Sequence, residues 1–280
     1  MPPILIVLIA VLSALIIGWL IWLFTIAPGK NRKEMEKFKK VKYAHRGLHN
    51  AERAENTLPA FAAAKEMGFG IELDVRLSRD GELVVFHDDN LSRMAGVEGK
   101  VIDFTASELA NMRILGTDAG VPTMKQVLEL IDGAVPLLIE IKNDLSEGGV
   151  AEKLLEVIDG YRGEFIVESF NPRALKCVKR ARPDILRGIL SCEYNEDMFK
   201  GKILYTLLRK LHFNFMYRPD FIAYSKTGYA EKNLRFIRKR FGTPLMAWTV
   251  RSEEEENEAI AHGFDTVIFE NYIPQGRIKK

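Results

Sequence analysis

The chain has 280 residues, 47% of them hydrophobic, and 40 basic against 38 acidic side chains for a formal charge of +2. Seven of those basic residues and two of the acidic ones fall within positions 1–42, so the remainder carries 33 against 36, a net −3, which excludes the basic footprint of a nucleic-acid-binding protein. Two cysteines, Cys177 and Cys192, form neither a zinc-ligand spacing nor a disulfide framework.

The first element in chain order is an uncharged apolar run from Ile4 to Ile26. At about 1.5 Å per residue a helix of that length crosses a bilayer core. A cleaved secretory signal fits less well: the run has no positive residues ahead of it, is over-long, and lacks a small-x-small site before Pro28. Residues 1–28 are therefore expected to be a transmembrane anchor. Lys30, Arg32, Lys33, Lys37, Lys39, Lys40 and Lys42 follow it, so the positive-inside rule keeps the rest of the chain cytoplasmic. Residues 29–40 read as a basic juxtamembrane linker, more simply a topology signal than a lipid-headgroup contact.

From Val41 onward short β-branched runs alternate with amphipathic stretches, the rhythm of a parallel sheet with crossover helices. The strand candidates are Val41–His45, Gly70–Arg76, Leu83–His87, Pro136–Ile141, Phe165–Ser169, Ile185–Leu190, Phe221–Tyr224, Leu245–Val250 and Thr266–Phe269. Nine is one too many for an eight-stranded barrel. The excess resolves if Gly70–Arg76 and Leu83–His87 form a hairpin about Ser78-Arg79-Asp80-Gly81, which also brings His87 back beside Glu72. Helix starts are marked by Thr57 before Pro59, by Thr123 with Gln126 and by Ser252 with Glu255. Residues 41–280, about 240 in all, are predicted to form a (β/α)8 TIM barrel; an open doubly wound sheet would be expected to carry a glycine-rich phosphate fingerprint, which is absent. Residues 88–121 exceed an ordinary connection and read as a small helical insertion, with a helix over Thr105–Leu115 capped by Thr105 and Glu108. Asn195–Arg218, basic, aromatic and aliphatic, reads as a barrel helix with a long loop, the alternative being a helix lying in a membrane interface.

Within this frame, Tyr43-Ala44-His45-Arg46-Gly47 and Val84-Val85-Phe86-His87-Asp88 bracket Glu72-Leu73-Asp74. Side chains alternate faces along a strand, so Glu72 and Asp74 point the same way. Paired carboxylates repel unless a cation lies between them, and an all-oxygen set favours a hard ion over zinc. Two histidines beside such a set suit proton transfer. The plainer alternative, a surface acid pair with two hydrogen-bonded histidines, suits either histidine alone better than both together.

The order His45-Arg46-Gly47, Glu55-Asn56-Thr57, Glu72-x-Asp74, Asp80-Gly81, His87-Asp88 and Glu140-x-Lys142 resembles the glycerophosphodiester phosphodiesterase family, and the resemblance covers nearly all of the domain. It implies a barrel holding one divalent cation, Ca²⁺ or Mg²⁺, on Glu72, Asp74 and Glu140. It also implies His45 and His87 as acid and base. Arg46 and Lys142 would neutralise the phosphate, Trp248 would form a flat wall for the glycerol carbons, and Glu55 and Asn56 would brace the His45 loop. Phe170 is expected in core packing, and His49, His212 and His262 match no motif. The chain departs from the family pattern at Phe269-Glu270-Asn271-Tyr272 and at Arg251, both on the rim of the alcohol side.

The expected activity is hydrolysis of a glycerophosphodiester to sn-glycerol 3-phosphate and an alcohol at the inner membrane face, with a small diester substrate and the lipid bilayer as partners. Its rivals are lysophospholipase D action on membrane lysolipids and a catalytically silent anchored module that binds lipid. The silent module is disfavoured because His45, Glu72, Asp74, His87 and Glu140 are all present.

Overall fold

The structure is a computed structural model that describes residues 2–30, 32–142, 149–193 and 203–275. Its strands are β1 (Tyr43–Ala44), β2 (Gly70–Leu77), β3 (Leu83–Val85), β4 (Leu137–Ile141), β5 (Phe165–Ser169), β6 (Arg187–Ser191), β7 (Phe221–Ser225), β8 (Leu245–Val250) and β9 (Thr266–Phe269). All pairings are parallel except that of β3 with β2. β1 pairs with both β9 and β2, so eight parallel strands close into a barrel, and β3 folds back outside it. The expected hairpin accounts for the ninth strand.

The helices are α1 (Pro3–Ile26), α2 (Met35–Phe38), α3 (Leu58–Met67), α4 (Ser92–Ala95), α5 (Ala106–Ala110), α6 (Met124–Ile131), α7 (Val150–Val157), α8 (Pro172–Ala181), α9 (Ile203–Arg209), α10 (Asn214–Tyr217), α11 (Lys232–Phe241) and α12 (Glu253–Ala261). Thr105 and Thr123 each close a full capping box with the side chain three residues on. Ser252 caps the Glu255 amide, but the Glu255 carboxylate accepts from the Arg251 amide instead of the Ser252 amide. Thr57 leaves the N-terminus of α3 uncapped, because its hydroxyl donates to the Ala54 carbonyl.

Alternation along the strands sorts two apolar layers. Ile71, Leu73, Val75, Ile139 and Val167 face the helices, whereas Tyr43, Leu138, Ile166, Met246 and Ile268 fill the barrel. Met35 and Phe38 of α2 join that inner cluster and plug the end at which the strands begin. The expected helix over Thr105–Leu115 is shorter than its sequence pattern. α5 stops at Ala110 and the chain makes a 3-10 turn at Ile114–Gly116, with Leu115 at φ 49°, which breaks a continuous helix. The insertion has its own small core of Leu91, Met94, Val101, Leu109 and Ile114. Of the stretch Asn195–Arg218, positions 195–202 lie outside the described residues, and the rest forms α9 and α10.

α1 is long and apolar enough to cross a membrane, and its most apolar window is wholly exposed. Its last turn is not free. Ile26 is buried, Trp22 packs on Phe236 at 4.8 Å between ring centres, and Asn214 Nδ2 donates to the Ile26 carbonyl at 2.8 Å. The following linker is tied down as well. Arg32 donates to both oxygens of the buried Asp220 carboxylate, each at 2.8 Å, and to the carbonyls of Pro183, Asp184 and Ile185. Lys37 pairs with Glu164, and Lys42 with Glu256. Two of the linker's basic residues, Arg32 and Lys37, are therefore spent on the barrel's own surface.

Arg32→Ala is expected to lower stability by about 2 kcal/mol, because it takes two charged hydrogen bonds from a buried carboxylate and leaves it only the Arg187 amide and a longer Arg187 ion pair. That corresponds to a fall in Tm of roughly 4–8 °C in a thermal melt, and an unchanged Tm would contradict the role given to this clamp.

Candidate active site

The strand register stacks the acidic residues. Asp74 lies opposite Glu140, and Glu140 opposite Glu168, on neighbouring strands near the carboxyl end of the barrel. Glu72 points inward two residues earlier on β2. One ligand oxygen from each of Glu72, Asp74 and Glu140 falls within 4.8 Å of the others, and all three side chains are buried. At that separation a pair of negative charges repels by roughly 3.5 kcal/mol at an effective dielectric near 20. Burial, reinforced by repulsion from Asp74, holds the Glu72 carboxyl well above the usual range. Glu140 is pushed up to about 7 by burial, against the pull of Lys142. Asp74 goes the other way: burial opposes its charge, but Lys142, His87, Arg46 and the Asn56 amide outweigh burial and hold its carboxyl well below the usual range.

Lys142 lies between two of the three acids, its Nζ 3.0 Å from Asp74 Oδ1 and 2.8 Å from Glu140 Oε1. Arg46 supplies a second cation. Its backbone amide donates to Glu72 Oε2 at 2.8 Å, its Nη1 to Glu55 Oε1 at 2.6 Å, and its Nε lies 3.6 Å from Asp74 Oδ2 without a hydrogen bond. Arg46 adopts φ 56° and Gly47 φ 80°, a left-handed turn that aims the Arg46 amide back at β2. Gly47 also packs so tightly on α3 that a Cβ would come within 2.9 Å of the Ala60 backbone.

The expected brace at Glu55 and Asn56 divides in two. Glu55 binds Arg46 and Arg93, while Asn56 Nδ2 donates to Asp74 Oδ2 at 2.7 Å. Asn56 thus orients an acid of the cluster rather than the His45 loop alone.

The two histidines follow β1 and β3, which flank β2 on the same edge, and they have matching partners. His45 Nδ1 is 2.6 Å from Glu270 Oε2, and His87 Nδ1 is 2.7 Å from Asp88 Oδ1. In each case a carboxylate claims Nδ1 and leaves Nε2 as the other ring nitrogen. Burial lowers both imidazoles below their ordinary value, and these carboxylates partly restore them. Asp88 is held by Arg93, which also reaches Glu55, so one arginine links the supports of His87 and Arg46. Glu270, which the sequence reading placed only as a departure on the rim, is the partner of His45. Arg251, the other departure, donates to the second oxygen of Glu270 at 2.7 Å. His49 also lies beside this carboxylate, at 3.8 Å, although no motif pointed to it. His212 and His262 lie elsewhere, against Thr25 and stacked on Tyr229.

Trp248, inward on β8, meets Phe170 edge-on at 5.5 Å between ring centres, so Phe170 belongs to the same wall. Among the described residues, four buried polar atoms here have no hydrogen-bond partner: Arg46 Nε, His49 Nε2, Trp248 Nε1 and Glu168 Oε2. Burial, and repulsion from Glu72 and Glu140, hold Glu168 well above the usual carboxyl range. Buried polar atoms are almost always satisfied, so this group of orphans marks a candidate site for a polar ligand.

Residues 45–273 match the model of the glycerophosphoryl diester phosphodiesterase family. A glycerophosphodiester phosphodiesterase of Caldanaerobacter subterraneus subsp. tengcongensis is 35% identical over 243 residues, covering 80% of this chain and 91% of that one. The glycerophosphodiester phosphodiesterase of Thermotoga maritima superimposes with a TM-score of 0.62 at 32% identity, over 82% of this chain and 94% of the other. An Oleispira antarctica phosphodiesterase, solved in complex with its product sn-glycerol-3-phosphate, gives a TM-score of 0.69 over 84% of this chain and 94% of the other, and at 24% identity that likeness speaks for the fold. Fold, motif order and relatives agree: this chain belongs to the glycerophosphoryl diester phosphodiesterase family, a family of phosphoric diester hydrolases.

Proposed function

We propose that this chain hydrolyses glycerophosphodiesters to sn-glycerol 3-phosphate and an alcohol, with His45 and His87 as the proton-transfer pair and one divalent cation on Glu72, Asp74 and Glu140. The observation that carries this reading is the presence of two carboxylate-held imidazoles, both felt by Asp74, beside a buried cluster of three acids. The cluster fits a hard cation. Its donors are all oxygen, its ligand atoms converge, and Glu72 and Glu140 are held toward protonation even with Arg46 and Lys142 beside them. Such an ion, Ca²⁺ or Mg²⁺, would supply Lewis-acid polarisation of the non-bridging phosphate oxygens.

The rest of the chemistry falls to the chain itself. Arg46 and Lys142 place two guanidinium or ammonium charges beside the acids, where an anionic diester needs its charge offset. One imidazole, neutral at Nε2, removes a proton from the attacking oxygen as its bond to phosphorus forms. The other, as imidazolium, gives a proton to the departing alkoxide as the second P–O bond breaks. Neutral pH suits both roles: burial favours the neutral ring, while the diester's negative charge favours the imidazolium. Trp248 and Phe170 offer an apolar wall to the glycerol carbons.

His45→Ala and His87→Ala are each expected to lower kcat on glycerophosphocholine or glycerophosphoethanolamine by roughly 10²–10⁴-fold with the fold preserved by circular dichroism. Chelation is expected to abolish turnover, and either Ca²⁺ or Mg²⁺ to restore it. Wild-type turnover in both histidine variants would rule the mechanism out.

Glu270 favours the protonated form of His45 through their hydrogen bond, so Glu270→Gln drops the His45 pKa further. The limb of the pH–rate profile that His45 controls then moves to lower pH, whether His45 serves as acid or base. A profile with both limbs in place would show that His45 does not titrate in the reaction.

For location, we infer a membrane anchor in α1 with the barrel on the cytoplasmic side, supported by the basic residues that follow it. Protease added to intact cells is expected to spare the barrel, and its cleavage there would reverse the orientation.

A further inference from the structure

We propose that the barrel lies directly on the bilayer with the carboxyl ends of its strands, and so the mouth of the active site, turned toward the headgroup layer, and that α9 forms part of the contact. The inference goes beyond the hydrolase reading and rests on α1 being a membrane span.

Two observations carry it. The first is the absence of a spacer among the described residues between the exposed part of α1 and the barrel. Trp22 already packs on Phe236, Phe24 on Phe215 at 5.6 Å, and Ile26 is buried. The exposed stretch Ile4–Ile21 would be about 27 Å long, close to the ~30 Å of a hydrocarbon core. A helix that fills the bilayer and then touches the barrel at its next residue brings the barrel to the interface.

The second observation is the sense in which α1 leaves. The segment from 208 to 219 descends the barrel wall. Ser191 and Tyr224, at the carboxyl ends of β6 and β7, hydrogen-bond the carbonyls of Leu208 and Arg209, while Pro219 lies just before the start of β7. The end of α1 follows this segment in step. Thr25 meets His212, the Ile26 carbonyl meets Asn214, the Ala27 carbonyl meets Arg218, and the Gly29 amide meets the Pro219 carbonyl. Followed backward from Gly29 to Thr25, the anchor climbs from the amino end of the barrel toward its carboxyl end. Its membrane-spanning part therefore projects on the side of the active site.

The surface on that side suits a bilayer interface. α9, Ile203–Arg209, reads Ile-Leu-Tyr-Thr-Leu-Leu-Arg and has no buried residue, with Ile203 77% exposed. Leu115 and Ile273, on loops that also follow the carboxyl ends of strands, are exposed too. An aliphatic and basic face continuous with a membrane span would bury its apolar side chains at the headgroup boundary. The opposite face of the barrel holds α2 and its lysines, a barrel's height away.

The test uses the full-length chain, carrying Cys177→Ser and Cys192→Ser, in phosphatidylcholine vesicles containing phosphatidylglycerol. A fluorescent label is placed at Ile203→Cys or, independently, at Leu204→Cys, and for comparison at Arg162→Cys on the amino-end face. Lipids bearing a nitroxide near the headgroup are expected to quench the label at position 203 or 204 roughly twofold, and to leave that at 162 unquenched. Quenching at 162 alone, or at none of the three while the chain floats with the vesicles, overturns the orientation but not the anchor. A chain that fails to float with vesicles overturns both. Hydrolysis of glycerophosphocholine by the same samples reports separately on the catalytic reading.

Discussion

Repulsion among three buried carboxylates organises this molecule. Glu72, Asp74 and Glu140 converge within 4.8 Å inside a closed barrel, an arrangement that is unfavourable unless positive charge is brought to it. The surrounding sequence supplies that charge from several directions. Lys142 bridges two of the acids, the turn at Arg46 delivers an amide to the third, and Asn56 holds Asp74 from above α3. The histidines, Arg93 and Glu55 then form an outer ring whose members are each fixed by a charge partner. Positioning in this site is electrostatic before it is steric.

Much of this was legible in the sequence because its period is short. Glu72 with Asp74, and Glu140 with Lys142, sit two apart on strands, so their common face follows from the pleat. The hairpin follows from a four-residue turn; it was expected to bring His87 beside Glu72, and its register returns the chain beside Asp74 instead, where the Phe86 amide donates to the Asp74 carbonyl. The capping boxes at Thr105 and Thr123 are equally local. What the sequence does not carry is the far side of the closure. Glu270 reaches His45 across 225 residues, because β1 and β9 are neighbours only once the barrel closes. Its position had a signal, a carboxylate one residue past the last strand, but the family pattern there differs and hid it. The alignment of Glu168 with Asp74 and Glu140 likewise emerges only from strand register.

The N-terminal region shows the same limit. Hydropathy identifies α1 as long and apolar enough to span a membrane, but nothing in a run of Ile, Leu and Val predicts that its last turn is buried against α10 and α11. Arg32 counts toward a basic linker by composition, whereas in the fold it is consumed by Asp220 and three carbonyls. The linker is therefore part of the barrel floor, with Met35 and Phe38 in the inner core. The end of α1 and the barrel are thus joined by packing and hydrogen bonds.

The central claim, that the acid cluster is a cation cradle, is tested most directly by calorimetric titration of the metal-stripped chain with Ca²⁺ and with Mg²⁺. Glu72 and Glu140 are held above the usual carboxyl range without an ion, so binding should release protons, visible as a dependence of the heat on the buffer's ionisation enthalpy. The account predicts one ion per chain for at least one of the two metals, proton release near neutral pH, and loss of at least about tenfold in affinity in Glu140→Gln. Absence of binding by either metal, or binding that Glu140→Gln leaves unchanged, would contradict it.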